Sequence, residues 1–428
     1  MRTTPVLYLA SYALSMLGNS IAAIALPLLV LQTTGSLLST GTLAAATAVP
    51  AFVAGLLAGV VIDRVNRLSS SIVSDLISAA SVAALPLVDL LTGLNLGWFI
   101  LFGIVGAVGD IPGMTARDAM LPAIVRHGGM SAERLVGLRE GLGALVLVVG
   151  PASAGTLMSI LDGSTVLWIT AGTSLLAALL TMLIPRGVGV VPVAGGVASA
   201  GASHGLSASR VASARPAGAA LAQLAEGWRV LFRGNPFLRA VTVLNLMMVV
   251  VIASLQGLVL PAHFALIEAP GMLGFVLTAL AAGTLVGAAL YAWRARSGSR
   301  RRWFVVGIVG TVAGIGVVGV LPPVAVLFAG AFVLGIASGM FGSLIGVLMI
   351  EAIPEHLRGR VMGTQNSLMM IAAPLGLVLA SLVGSHFDLR VAGVVMAVLW
   401  AVTGIYALAT PALRRLEPAE GSRNDEKQ

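Results

Sequence analysis

A carboxylate set deep in an apolar run has the most chemistry to offer in this chain. Asp110 stands in a run from 97 to 119 whose other charges, Arg117 and Asp118, lie at its far end. Twelve residues separate Asp110 from Trp98, which at helical rise puts it about 18 Å into an apolar layer about 30 Å thick. A carboxylate at such depth is costly to ionise and suited to taking up and releasing protons. The competing reading is structural: a partner for Arg117, two turns on and on the same helix face, or for polar groups of a neighbouring helix. Asp75 lies about two turns from a charged turn and is expected to join a charge network there with Arg64. Asn19, Asn245 and Gln256 fall inside other apolar runs, where amides either join helices to one another or meet a substrate. Phe341, Met247 and Met248 either line an adaptable cavity or pack against neighbours and lipid. His263 reads as an interface residue near the outer end of its run.

Other chemistries are excluded. The chain has no cysteine, so disulfides, thiolate metal sites and cysteine nucleophiles are absent. Its five histidines are scattered without ligand spacing, so no metal site is expected. No nucleophile, base and orienter come together as a set, and no phosphate-cradling loop of the GxxxxGK[ST] kind occurs. The chain is therefore expected to be no enzyme, to need no cofactor, and to draw energy from an ion gradient.

The elements that position these residues are membrane spans. Hydrophobic residues make up 58% of the 428 and charged residues only 10%, where a soluble chain carries about 25% charged. Twelve apolar runs are each long enough to cross a bilayer: 6–31, 39–62, 69–92, 97–119, 139–160, 164–185, 238–265, 271–293, 303–322, 324–350, 361–384 and 390–410. With the N-terminus in the cytoplasm, every one of the 25 basic residues except Arg390 falls on the cytoplasmic side. That asymmetry orients the chain with both termini inside. It also assigns the net charge of +8, and the basic cluster from Arg294 to Arg302, to topology and anionic lipid rather than nucleic acid.

Internal echoes divide the chain in two. Ala25-Leu26-Pro27 and Gly35 are repeated as Val259-Leu260-Pro261 and Gly271. Leu121-Pro122, Glu133-Arg134 and Gly150-Pro151 return as Ile353-Pro354, Arg358-Gly359-Arg360 and Ala373-Pro374. The expected organisation is an all-α integral membrane protein of twelve transmembrane helices in two pseudo-symmetric six-helix bundles. Residues 1–186 form the first bundle, 187–236 a cytoplasmic linker, 237–410 the second bundle and 411–428 a cytoplasmic tail. Leu221, Leu224, Trp228 and Leu231 fall at helical spacing, either as a short surface helix in the linker or as an amphipathic start to the seventh span. Two such repeats imply a site between the halves near the midplane, reached alternately from each side.

The turn between the second and third runs, Gly59-Val60-Val61-Ile62-Asp63-Arg64-Val65-Asn66-Arg67, resembles the loop signature of the major facilitator superfamily. Further stretches are similar to its drug-exporter branch, which includes macrolide efflux proteins and the enterobactin exporter: Ile24 to Val30 with Thr34-Gly35-Ser36, Glu226-Gly227-Trp228-Arg229, and Ile353 to Val361. The resemblance implies a conformational gate at Gly59, Asp63, Arg64 and Arg67, with Asp75, Asp118, Arg358 and Arg360. Asp63 is expected against the start of the eleventh span near Gly363 and Thr364, where a helix dipole favours negative charge. Arg67 is expected to pair with Asp118. Gly150, Pro151 and Gly155 correspond to an antiporter motif of the fifth span, with alanine at one glycine position. In the second half Tyr291 and Ala292 stand where Asp63 and Arg64 stand in the first, so the acidic gate is expected on one side only.

The function these features imply is proton-coupled efflux of a moderately hydrophobic small molecule, such as an antibiotic or other secondary metabolite. The setting is a bacterial inner (plasma) membrane, and the partners are substrate, protons and lipid, with the chain a monomer. Uptake or lipid movement by the same fold, and a non-transporting sensor or assembly factor, remain the alternatives.

Overall fold

The computed structural model describes residues 3–62, 65–189, 228–294, 299–353 and 358–413. Among them, twelve helices are long and apolar enough to cross a membrane. They are α1 Thr3–Thr34, α2 Leu37–Ile62, α3 Arg67–Thr92, α4 Leu96–Gly128, α5 Ala132–Ile160 and α6 Gly163–Met182, followed by α7 Pro236–Leu266. The rest are α8 Pro270–Arg294, α9 Arg300–Gly319, α10 Val324–Ala352, α11 Arg358–His386 and α12 Leu389–Ala409. Helix is the natural state of each apolar run, because hydrocarbon offers no partner for a backbone N–H or C=O.

Polar residues mark where the helices begin. Asn66, Asn95, Ser131, Asp162 and Asn235 cap α3, α4, α5, α6 and α7, each side chain accepting an N–H that the first turn leaves unpaired. The Asp162 cap lies outside the spans; the Thr165 backbone N–H, with its hydroxyl, holds that carboxylate below the usual range. Two helices outrun their apolar segments. α4 continues past 119 to Gly128, where Gly129 turns left-handed at φ 62°, and α5 starts at Ala132 rather than near 139 because Ser131 caps it. Of the expected surface helix, 221–227 lie outside the described residues. The described remainder runs into α7 through a π turn, Val230–Gly234, with Leu231 fully buried and Trp228 on Phe232 at 4.3 Å. α7 carries a second π turn, Leu255–Val259, just before Pro261; the wider turn makes room for a ring that would collide with the carbonyl four residues back.

Each half packs by the same scheme. In the first half α1 lies against α5 and α6, α2 against α4, and α3 against α4 and α6. In the second, α7 lies against α11 and α12, α8 against α10, and α9 against α10 and α12. The halves meet mainly through two helix pairs, α5 with α8 and α2 with α11, and α1 also touches α7. Small residues allow these approaches. A Cβ on Gly155 of α5 would stand 2.5 Å from the Gly271 carbonyl oxygen and 2.7 Å from Gly274 Cα of α8, and a Cβ on Gly41 of α2 would run into Ser381 of α11. Both contacts lie toward the end that carries the α1–α2 turn, which the basic-residue distribution assigns to the outside.

The corresponding pair within each half differs in closeness. On α8 and α10, a Cβ on Gly283, Gly287, Gly335 or Gly339 would run into the backbone of the facing helix. On α4, a Cβ on Gly103 would meet only side chains of α2, Thr47 at 3.0 Å and Leu43 at 3.2 Å. The α8–α10 pair is in backbone contact along four glycines; the α2–α4 pair is held apart.

Candidate functional site

That separation leaves a cavity of about 310 Å³ inside the first half. Its walls come from α1, α2, α3, α4 and α6, and Leu377 of α11 is the contribution of the second half. The wall is largely apolar, with Asn19, Thr40, Thr47, Ser78, Ser81, Thr170 and Ser174 supplying amide and hydroxyl groups, and Asp110 the charge. Ser78 of α3 lines the cavity beside the carboxylate. This cavity sits within one bundle, apart from the midplane site expected between the halves. In the second half the matching space, lined by α7, α8, α9 and α10, shrinks to about 10 Å³ because glycine contact draws α10 onto α8.

The expected cavity residues divide accordingly. Asn19 and Asp110 line the same cavity. Gln256 faces the small space in the second half. Phe341 is buried core, packed between Phe304 and Trp400 at ring-centroid distances of 6.0 and 6.1 Å. Asn245 is half-buried on α7 and is not part of the cavity wall, and Met247 and Met248 pack against the core. An amide in an apolar run cannot show which helix face it occupies, because lipid-facing and core-facing positions are equally apolar. His263 is half-buried near the C-terminal end of α7, against Phe264, and shares a surface pocket with Arg390.

Asp75 has a partner other than the expected Arg64, which lies outside the described residues. It is buried, and its Oδ2 meets Arg117 Nη2 of α4 at 2.5 Å, with side-chain exposures of 3% and 6%. α1 completes the cluster. Ser15 donates to Asp75 Oδ1 at 3.0 Å and accepts from Arg117 Nη1 at 3.0 Å, while Arg117 Nη2 reaches Ser11 at 3.4 Å. Ser11 in turn is held by Thr181 of α6 at 2.6 Å and donates to the Ala177 carbonyl at 3.0 Å. Tyr8 donates to the Arg117 carbonyl at 3.3 Å. A buried charge is tolerable only when paired and hydrogen-bonded, and here four helices supply the partners. Arg117 is thus the partner of Asp75, and the structural reading that gave it to Asp110 falls away. The i, i+4 pair Ser11 and Ser15 was the available sequence signal for this cluster.

The gate residues are partly placed. Asp63 and Arg64 lie outside the described residues. Gly59 is in the last turns of α2, and Arg358 and Arg360 open α11, their side chains outside the described residues. Arg67 does not pair with Asp118; its Nη1 donates to the Ala119 carbonyl at 2.9 Å. Asp118 instead forms an ion pair with Arg139 of α5, whose guanidinium lies 4.9 Å from the centre of the Tyr12 ring. Arg139 opens the expected fifth run, but its contact with Asp118 crosses from α5 to α4 and is not visible in the sequence. In the fifth-span motif, Gly150 faces Ser20 of α1, while the Pro151 carbonyl and Gly155 face Gly274 of α8. The motif builds the seam between the halves.

Known proteins share this architecture. The family model described as Major Facilitator Superfamily matches residues 8–269 and 242–428. A protein of Mycolicibacterium fortuitum named multidrug efflux pump Tap is 31% identical over 405 residues, 94% of each chain. A protein of the same name from Mycobacterium tuberculosis (strain ATCC 25618 / H37Rv) is 32% identical over 411 residues, covering 94% of this chain and 92% of that one. Among solved structures, a bacterial homolog of the human lysosomal transporter Spinster superposes with TM-score 0.71 at 15% identity, over 98% of both chains. The nucleoside transporter NupG does so with TM-score 0.69 at 13% identity, over 97% of this chain and all of that one. With twelve spans in two matching halves and a family match along nearly its whole length, this chain belongs to the major facilitator superfamily.

Proposed function

We propose that this chain is a proton-coupled exporter of moderately hydrophobic small molecules, with the first-half cavity as its substrate compartment and Asp110 as its proton-exchanging group. One observation carries the reading: a mostly apolar cavity of about 310 Å³ whose charged lining residue is a single carboxylate, with no cation in the wall. Such a group is neutral with a proton and free to attract a positively charged or hydrogen-bond-donating substrate without one, so proton and substrate compete for one place. The names of the efflux pumps to which the chain is similar support the outward direction. Arg117, held by Asp75, is not available to neutralise Asp110 permanently. The chain acts as a monomer in the bacterial plasma membrane with both termini cytoplasmic. The glycine seam between α5 and α8 closes the outer end, and alternation opens it. The gate reading of Gly59, Asp63, Arg64 and Arg67 goes with this: the turn latches the halves on the cytoplasmic side.

The test is an accumulation screen in an efflux-deficient host with and without a protonophore, followed by exchange assays in vesicles. Expression is expected to lower accumulation of at least one apolar compound, and the protonophore to abolish the difference. Asp110→Asn is expected to keep binding and lose gradient dependence. Undiminished gradient-driven transport by that variant overturns the assignment.

A further inference from the structure

Asp75 and Arg117 stand outside the exchange proposed above, yet they form the most deeply buried ion pair among the described residues and lie beside the exchanging group. Three charges share the space between α3 and α4: two carboxylates and one guanidinium. Hydrogen bonds decide how it is shared. Arg117 gives Nη2 to Asp75 and Ser11 and Nη1 to Ser15, and Ser15 closes the ring onto Asp75. α6 secures Ser11 through Thr181. The guanidinium is thus tied by α1, α3 and α6. Asp110 is two turns from Arg117 on the same face of α4, but the hydrogen bonds of Arg117 go to Asp75, Ser11 and Ser15, while Asp110 lines the cavity beside Ser78. The other cavity walls bring no charge: α1 presents Asn19, α2 Thr47, α6 Ser174 and α11 Leu377.

We propose that Asp75 is a positioning residue that restrains Arg117 away from Asp110, so that the cavity carboxylate has no resident counter-charge and must take positive charge from a proton or a cationic substrate group. This rests on Asp110 being the exchanging group. The Asp75–Arg117 pair is neutral, so the cluster carries one negative charge when Asp110 is ionised and none when it is protonated. A guanidinium released from Asp75 would serve Asp110 instead and hold it ionised. The proton enters and leaves on the Asp110 carboxyl oxygen, and no bond between heavier atoms changes.

Infrared titration of the purified full chain in lipid tests this without a known substrate. The probe is the carboxyl C=O band that is lost in Asp110→Asn, followed against pH in four proteins. Asp75→Asn is expected to move the midpoint of that band to lower pH by about 1 unit or more, the effect of an opposite charge coming within about 4–6 Å of a carboxylate. Arg117→Gln, which leaves Asp75 bare, is expected to move it to higher pH. The double variant removes a neutral pair and is expected to return to within about half a unit of the parent, an interaction term read from the cycle. Midpoints that stay put with the band intact, or two single variants that move in the same direction, overturn the proposal. Should Asp75→Asn not fold, the Arg117→Gln midpoint decides alone, and coincidence with the parent overturns it. If no band is lost in Asp110→Asn, the reading of the cavity itself fails, a result distinct from an unmoved midpoint.

Discussion

The two halves of this molecule share a packing scheme and differ in what they enclose. In the first, Gly103 of α4 meets side chains of α2 and a cavity remains; in the second, α8 and α10 touch backbone to backbone and the matching space closes. Charge follows the same division. The register that sets Pro122 on Pro354 sets Asp110 on Gly342 and Arg117 on Met349. The second half keeps its described ion pair at a helix end, where Arg300 meets Glu351 through two hydrogen bonds of 2.6 and 2.8 Å with Glu351 half exposed. Buried polar contact there is modest, as where Trp400 donates to Thr311 at 2.9 Å. Among the described residues, one repeat holds the buried charge and the larger cavity, and the other is its apolar, close-packed counterpart.

Substitutions at matching places should expose this asymmetry, most strongly at the cavity. Asp110→Asn is expected to bring gradient-driven exchange to background, whereas Gln256→Leu in the second half leaves it near the parent rate. Equal losses in vesicle assays would end the one-sided picture. Next come the ion pairs. Arg117→Ala strands a buried carboxylate and is expected to cost about 3–5 kcal/mol, against about 0–1 kcal/mol for Glu351→Ala at the partly exposed pair. Thermal unfolding in detergent should rank them in that order. The glycine seams should differ by less. Gly335→Ala forces two backbones apart and is expected to cost about 1–3 kcal/mol, while Gly103→Ala asks side chains to yield a few tenths of an ångström and is expected to stay well below that. The smallest effect concerns the Asp162 cap. Its Thr165 hydrogen bonds hold the carboxylate below the ordinary 3.8. A folded-state value depressed in this way stabilises above the unfolded-state value, and the benefit is lost as pH falls through the folded one. Asp162→Ala should therefore lower Tm slightly at neutral pH, with the difference fading below about pH 4.

Twelve spans, their doubling and the place of Asp110 inside the fourth span were legible in the sequence, because each depends on the position of charge along a chain that is otherwise apolar. What faces what was not. Asn19 and Asn245 look alike in sequence, and only rotation of α1 and α7 about their own axes puts the first in the cavity wall and leaves the second out of it. In a soluble helix the polar face reveals that rotation; in these helices lipid is as apolar as the core. The Asp75–Arg117 pair was hidden for a related reason: its members are 42 positions apart on different helices, and its other anchors, Ser11, Ser15 and Thr181, are individually ordinary. Arg67 and Asp118 were misassigned because sequence does not show which side chains meet across helices: Arg67 reaches the Ala119 carbonyl, and Asp118 is taken by Arg139 of α5.

Leu377 is the one cavity-lining side chain donated by the second half, and it also packs near Gly257 of α7. This gives the molecule a pharmacological weak point. A compound that fills the first-half cavity and adheres to Leu377 would fasten the moving bundles to each other, acting as a conformational adhesive rather than as a competitor for the pump's cargo. Resistance to it would tend to arise at that single position, where exchange of leucine for a smaller residue removes the grip while leaving every polar group of the cavity in place.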